Sequence, residues 1–196
     1  MNPEMNIQKI RLHTPRLLLR AWEQADLEDF YEYASSDGVG QMAGWLPHKS
    51  REESQKILTD FIEEGQCFAI VKDEKAIGSI EIQRYKEELF PGAKALRGRG
   101  IGFVLSRTYW NQGYMTEAVE EVLRFLFEDR GLDFVSCSHF IWNLQSARVQ
   151  KKAGFHFYCK VKMTTTYGTC EHGYLNLISK EDWQRKRSLA LSPSNQ

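Results

Sequence analysis

No charge of either sign is in surplus here: 26 Lys and Arg stand against 26 Asp and Glu in 196 residues. A broad nucleic-acid binder carries a basic excess to neutralise phosphates, so the balance excludes that class of partner. Paired cysteine motifs are also missing. The four cysteines stand at 67, 137, 159 and 170, none in C-x-x-C spacing, which argues against zinc and against a thioredoxin-like dithiol. They read as reduced thiols in a cytoplasmic protein, because disulfide frameworks belong to short, Cys-dense secreted chains. No stretch approaches the roughly 18 apolar residues of a membrane span. The opening MNPEMNIQKIRL has an early acid and no apolar centre, so it does not read as a signal peptide. No internal repeat is visible.

What is present suffices for one packed domain. A hydrophobic content of 42% and an aromatic content of 12% are too high for a disordered chain. A chain of this size buries roughly 70% of its unfolded surface and needs no staples. The expected division is a loose lead-in over 1–9, a single domain over 10–185 and a flexible tail over 186–196.

Patterning predicts the elements. Residues 16–20 are a first strand, and Asp26 caps a helix whose apolar face is Leu27, Phe30, Tyr31 and Ala34. Ser50 and Glu53 form a capping box for a second helix ending at Gly65. Residues 67–71 and 76–83 are a hairpin, 84–100 a polar loop, and 101–106 another strand. A long helix covers 114–130, a strand 133–141 and a short helix 144–153. Paired strands follow at 155–163 and 172–178, and Ser179 caps a last short helix through Trp183. Interleaved helices and hairpins predict a mixed α/β sheet with helices on both faces.

The chemistry concentrates between Ile101 and Phe155. A strand runs into Gln112-Gly113-Tyr114 and then a helix, and a glycine there lets backbone approach a bulky anion. The unpaired first N–H groups and the helix dipole favour negative charge at that point. On this stretch alone, an ordinary β–α turn with a glycine reads equally well. No G-x-x-x-x-G-K-[ST] occurs, and the G-x-G at Gly98–Gly100 precedes a strand, so neither a P-loop nor a dinucleotide fingerprint is present. The block 148–162 holds Arg148, Lys151, Lys152, Lys160 and Lys162 with no acid, an electropositive rim suited to phosphates or a solvated helix face.

Four runs together resemble the GNAT superfamily of N-acyltransferases, and its RimJ/RimL-like branch more closely. They are T-x-R-L-x-L-R at Thr14–Arg20, G-W-L-P-H at Gly44–His48, Y-W-x-x-G-Y-x-T-E-A at Tyr109–Ala118 and N-x-x-S-x-x-V-x-x-K-x-G-F at Asn143–Phe155. The resemblance covers roughly residues 10–185. It implies a GNAT-like, mostly antiparallel sheet whose central strands splay to admit the pantetheine arm of acetyl-CoA. By that resemblance, backbone of Phe103, Val104 and Leu105 binds the arm like an added strand. Gln112, Gly113, Tyr114, Met115 and Thr116 cradle the pyrophosphate, and Lys152 is basic where the family usually is. Asn143 bonds the arm or the incoming amine, and Ser146 protonates the departing thiolate. Trp110 stands where the superfamily usually has Arg or Gln, although the RimJ/RimL-like branch commonly has an aromatic residue there. Met115 stands where Gly or Ala is usual, and its bulk narrows the approach to one phosphate.

The implied reaction moves acetyl to a primary amine, on a protein N-terminus such as a ribosomal protein's or on a small molecule, by direct attack in a ternary complex. A non-catalytic acyl-CoA sensor or interaction protein on the same fold is the alternative, and a structural protein with a degenerate site is a third. The chain is expected to be a monomer or homodimer. An amine must lose a proton, which needs a base, and the developing oxyanion needs a backbone donor. Alternation puts Ser79, Glu81 and Gln83 on one strand face, and a mid-strand carboxylate is costly unless paired or functional, so Glu81 is the candidate base. A solvated strand face, or water held by backbone carbonyls, is the competing reading. Glu171 is a second candidate. His139 reads as a packed histidine, and Cys67 and Cys137 as inert core residues. Tyr31, Tyr33, Trp45 and Glu87 are candidate acceptor-site residues.

Overall fold

Eight strands form one sheet in the computed structural model, which describes residues 1–191. They are β1 (Arg11–His13), β2 (Leu18–Ala21), β3 (Cys67–Lys72), β4 (Lys75–Gln83), β5 (Gly98–Leu105), β6 (Phe134–Phe140), β7 (His156–Thr164) and β8 (Cys170–Ser179). Their order is β1-β2-β3-β4-β5-β6-β8-β7, and each neighbouring pair is antiparallel except β5–β6. The helices are α1 (Leu27–Ala34), α2 (Arg51–Glu64), α3 (Tyr114–Arg124, continued by a π-turn over Phe125–Asp129), α4 (Leu144–Ala153) and α5 (Lys180–Leu191).

Alternation along β3 sorts the core into two layers. Phe68 and Ile70 pack with Ile80, Val119 and Phe125 on the α3 side. Cys67, Ala69 and Val71 pack with Phe30, Tyr33 and Leu58 on the α1–α2 side. This is the expected mixed, mostly antiparallel GNAT-like sheet with helices on both faces.

Several local expectations are corrected. Residues 1–9 are no loose lead-in: Ile7 is fully buried, its N–H bonds Gly65 O, and Met5 joins the main core. Asp26 does not cap α1. Its carboxylate takes both ends of the Arg20 guanidinium at 2.7 Å and the Glu23 N–H at 2.8 Å, a charge-assisted pairing that a buried acid prefers. Ser50 caps α2 as expected, but Glu53 accepts from Lys49 N instead of completing the box. The 84–100 segment is less polar than it reads, since Tyr85, Phe90 and Ala93 bury against Phe134 and β5 already starts at Gly98. Ser179 caps α5, which runs past Trp183 to Leu191, so 186–191 is helix; 192–196 lie outside the described residues.

The one parallel pair is short. β5 and β6 are in register only from Gly98↔Phe134 to Ile101↔Cys137. Beyond that point β5 stays with β4 as far as Gly78↔Leu105, and β6 stays with β8 as far as Phe140↔Gly173. The two central strands therefore part, and Gly102, Phe103 and Val104 become half-exposed in mid-sheet. Gly78 permits the close approach of β5 to β4: a Cβ there would lie 2.4 Å from Val104 O and 3.0 Å from Leu105 Cα.

Two of the sequence runs meet across the sheet edge. Thr14 Oγ1 donates to Glu117 Oε1 at 2.5 Å, and Arg16 donates to the same carboxylate through Nε at 2.7 Å. Arg16 Nη1 also donates to Gln112 O at 3.1 Å, so the clamp holds the loop that enters α3. Burial pushes the Glu117 carboxyl up, but the bonds from Thr14 and Arg16 outweigh it and hold the group below its ordinary value.

These contacts make two outcomes testable. Gly78→Ala forces the β4–β5 backbones apart, costing about 1–3 kcal/mol, or roughly 2–10 °C in melting temperature for a chain of this length. An unchanged melting temperature counts against that role. Glu117→Gln costs about 1–2 kcal/mol near neutral pH, discounted for the half-exposed Arg16. A depressed folded value means that this contribution is present above about pH 4.3, the unfolded value, and is lost as pH falls through the folded value. Urea titrations of both proteins at neutral and acidic pH check it, and a difference that persists in acid refutes it.

Candidate active site

A cavity of about 1420 Å³ opens where β5 and β6 part and reaches both faces of the sheet. All the residues expected to bind the cofactor, and the catalytic candidates Glu81 and Ser146, line it except Gln112. The Gln112 side chain instead donates back into its own loop, to Thr108 O at 2.9 Å, while its backbone O accepts from Arg16.

Two sets of backbone groups face the gap. The β5 edge over Gly102–Leu105 has lost β6 as a ladder partner, while its other edge stays bonded to β4. At the end of β5, Trp110 Nε1–H donates to Leu105 O at 2.7 Å, so this tryptophan finishes the strand. Gly113 then takes φ +84° as the N-cap of α3 with no side-chain cap, and Asn111 takes φ +61°. A left-handed glycine without a capping side chain leaves the first N–H groups of α3 bare for an anion. Tyr114 and Met115 are buried in the core layer on the α3 side, so the Met115 side chain packs inward. An arm bearing amides fits the open β5 edge, and a pyrophosphate fits the bare α3 turn. Arg148, Lys152, Lys160 and Lys162 also line the cavity; Lys151 does not.

Glu81 lies opposite Gly102, one step beyond the last β5–β6 pair, and on the other side opposite Cys67. It therefore shares the sheet face of α1 and α2, is half-buried, and receives a hydrogen bond from Gln83 Nε2 at 2.9 Å. Tyr33, Trp45, His48 and Ser79 line the same side. His48 bonds Ser54 Oγ at 2.7 Å, and burial lowers its imidazole below the ordinary value. Burial pushes the Cys67 and Cys137 thiols far up, which keeps them protonated and inert. Tyr31 and Glu87 are outside the cavity: Arg51 covers the Tyr31 ring and Asn2 bonds Glu87. Glu171 is outside too. His139 is both packed, at 5.8 Å from the Tyr174 ring, and at the cavity wall. Its Nδ1 donates to Phe140 O at 2.9 Å, because a carbonyl only accepts.

Asn143 and Ser146 stand together at the start of α4. Asn143 Oδ1 caps the helix by accepting from Ser146 N at 3.0 Å, and its Nδ2 donates to Met42 O at 2.9 Å. The Asn143 side chain is thus engaged at both ends by protein. Ser146 Oγ accepts from Gln150 Nε2 at 3.0 Å. Gln150, Gly78 and the Glu117 clamp were not singled out from sequence; only the clamp carried a signal, since Thr14 and Arg16 belong to the Thr14–Arg20 run and Glu117 to the Tyr109–Ala118 run.

Comparison with known proteins gives the family and the fold. Residues 16–156 match the acetyltransferase (GNAT) domain family. A Bacillus subtilis protein described as the uncharacterized N-acetyltransferase YnaD is 29% identical over 150 residues, covering 74% of this chain and 82% of the relative. The crystal structure of a GNAT-family acetyltransferase from Bacillus anthracis superposes with TM-score 0.75 at 22% identity, over 88% of this chain and 99% of that one. The microcin C7 self-immunity acetyltransferase MccE, in complex with acetyl-CoA and AMP, shares the fold at TM-score 0.69 and 14% identity, over 85% and 93% of the two chains. Among the described residues, no helix is long and apolar enough to cross a membrane. The chain belongs to the acetyltransferase (GNAT) domain family and is an acetyltransferase.

Proposed function

We propose that this is an acetyl-CoA-dependent N-acetyltransferase of RimJ/RimL-like type, acting on a primary amine of a protein N-terminus or small molecule by direct attack in a ternary complex. The observation that carries the reading is the β5 edge left open beyond Ile101, next to the uncapped α3 turn at Gly113. When bound, acetyl-CoA supplies an activated acetyl thioester. Backbone of Phe103, Val104 and Leu105 holds the pantetheine arm, and N–H groups from Gly113 to Thr116 hold the pyrophosphate. Lys152 and Arg148 add positive charge at the cavity wall. Glu81, at the mouth of the splay, takes the amine's proton directly or through one water. A β5 backbone N–H stabilises the oxyanion, and the Ser146 hydroxyl protonates the departing sulfur. Asn143 positions α4, an assignment supported by its bonds to Ser146 and Met42. The four free cysteines support a reducing, cytoplasmic setting.

Isothermal titration with acetyl-CoA, followed by a thiol-release screen over amines and N-terminal peptides, tests this reading. Binding with release on at least one amine is expected. Binding without release across the panel supports the sensor alternative, and no binding overturns both. Within an active pairing, Glu81→Gln lowers turnover about tenfold or more with little change in acetyl-CoA affinity. Unchanged turnover removes Glu81 from the mechanism.

A further inference from the structure

We propose that Gln150 and Asn176 are positioning residues that aim the Ser146 hydroxyl into the cavity; this rests on Ser146 acting as the general acid. Three side chains from two elements form one chain of hydrogen bonds. Asn176, on β8 opposite Cys137, donates through Nδ2 to Gln150 Oε1 at 2.7 Å. Gln150, fully buried on α4, donates through Nε2 to Ser146 Oγ at 3.0 Å and lies 3.5 Å from Ser138 O. Ser146 itself is half-exposed and lines the cavity.

The direction of each bond is set by the inventory of donors and acceptors. The Gln150 amide has an oxygen end and a nitrogen end. Asn176 Nδ2 occupies the oxygen end, so the nitrogen end must face Ser138 O and Ser146 Oγ. A backbone carbonyl only accepts, which selects the same orientation independently. Ser146 Oγ is therefore an acceptor toward the interior. Its own hydrogen cannot lie along that line and turns to the cavity side. A serine in the first turn of a helix otherwise spends its hydroxyl on nearby backbone, and the buried amide opposes that. Donation to Oγ also polarises the O–H bond, as in other buried networks.

The proton balance closes. Ser146 Oγ gives its hydrogen to the departing sulfur as the C–N bond forms and the C–S bond breaks. The proton that Glu81 takes from the amine returns to Ser146 through water, so the amine's proton ends on the thiol.

Asn176→Asp tests this without removing bulk. A carboxylate has no N–H to donate and attracts Gln150 Nε2 instead, so the Gln150 amide turns over. Its Oε1 then faces Ser146, and the hydroxyl donates inward. Nuclear magnetic resonance of the Gln150 side-chain amide reads this turn directly, with no acetyl-CoA present. With the amide turned, kcat should fall about tenfold, close to that of Ser146→Ala, while acetyl-CoA affinity by titration stays within about twofold. In the Ser146→Ala background the same substitution should cause no further loss of kcat. An amide that stays as it was, or equal losses in both backgrounds, overturns the positioning role. If Asn176→Asp does not fold, Gln150→Met in the same two backgrounds carries the same comparison. Full turnover by Ser146→Ala alone overturns the acid assignment and this proposal with it. A slow Ser146→Ala beside a normal, amide-turned Asn176→Asp overturns only the positioning.

Discussion

The separation of β5 from β6 after the Ile101–Cys137 pair is the constraint around which the rest of the molecule is arranged. Backbone N–H and C=O groups in mid-sheet demand partners, and leaving them unpaired away from water costs as much as a lost hydrogen bond. Here the demand is met by opening a cavity to solvent instead of closing the ladder. The strands can part because each stays held on its other side, β5 by β4 through Leu105 and β6 by β8 through Phe140. Trp110 takes the last β5 carbonyl, and the loop behind it delivers the bare end of α3 to the mouth of the gap.

Charge is organised about that gap in a way the zero total conceals. The acids nearest the scaffold are spent on arginines, Asp26 on Arg20 and Glu117 on Arg16. Among the described residues, Arg148, Lys152, Lys160 and Lys162 line the cavity and enter no ion pair. A chain with no net charge thus presents a locally positive wall, which suits one small polyanion and not an extended one.

The helices and strands were readable where periodicity and caps agree, as at Ser50, Ser179 and the apolar stripe of α3. They were misread where a distant partner overrode a local rule. Asp26 looks like a cap because Asp favours caps, but a guanidinium six residues back in sequence claims it. Residues 1–9 look polar and loose, yet Ile7 and Met5 find a core that the first residues alone cannot indicate. At the site, Gly113 and Ser146 were visible from their runs. Gln150 was not, since a glutamine four residues after a serine on a helix is ordinary, and its direction comes from Asn176 on a strand 26 residues later and from Ser138 O on β6.

By itself the sequence determined the alternation of elements, the glycine-opened turn before α3, the acid in mid-strand at Glu81 and the basic block after Asn143. These depend on residue type and spacing over a few positions, where covalent geometry dictates the local conformation. Tertiary structure alone decided where the central strands part, which face Glu81 occupies relative to that gap, and which way the Ser146 hydroxyl turns. Each of these depends on backbone and side-chain partners brought together from remote segments, whose hydrogen-bonding demands are satisfied only once the sheet is assembled.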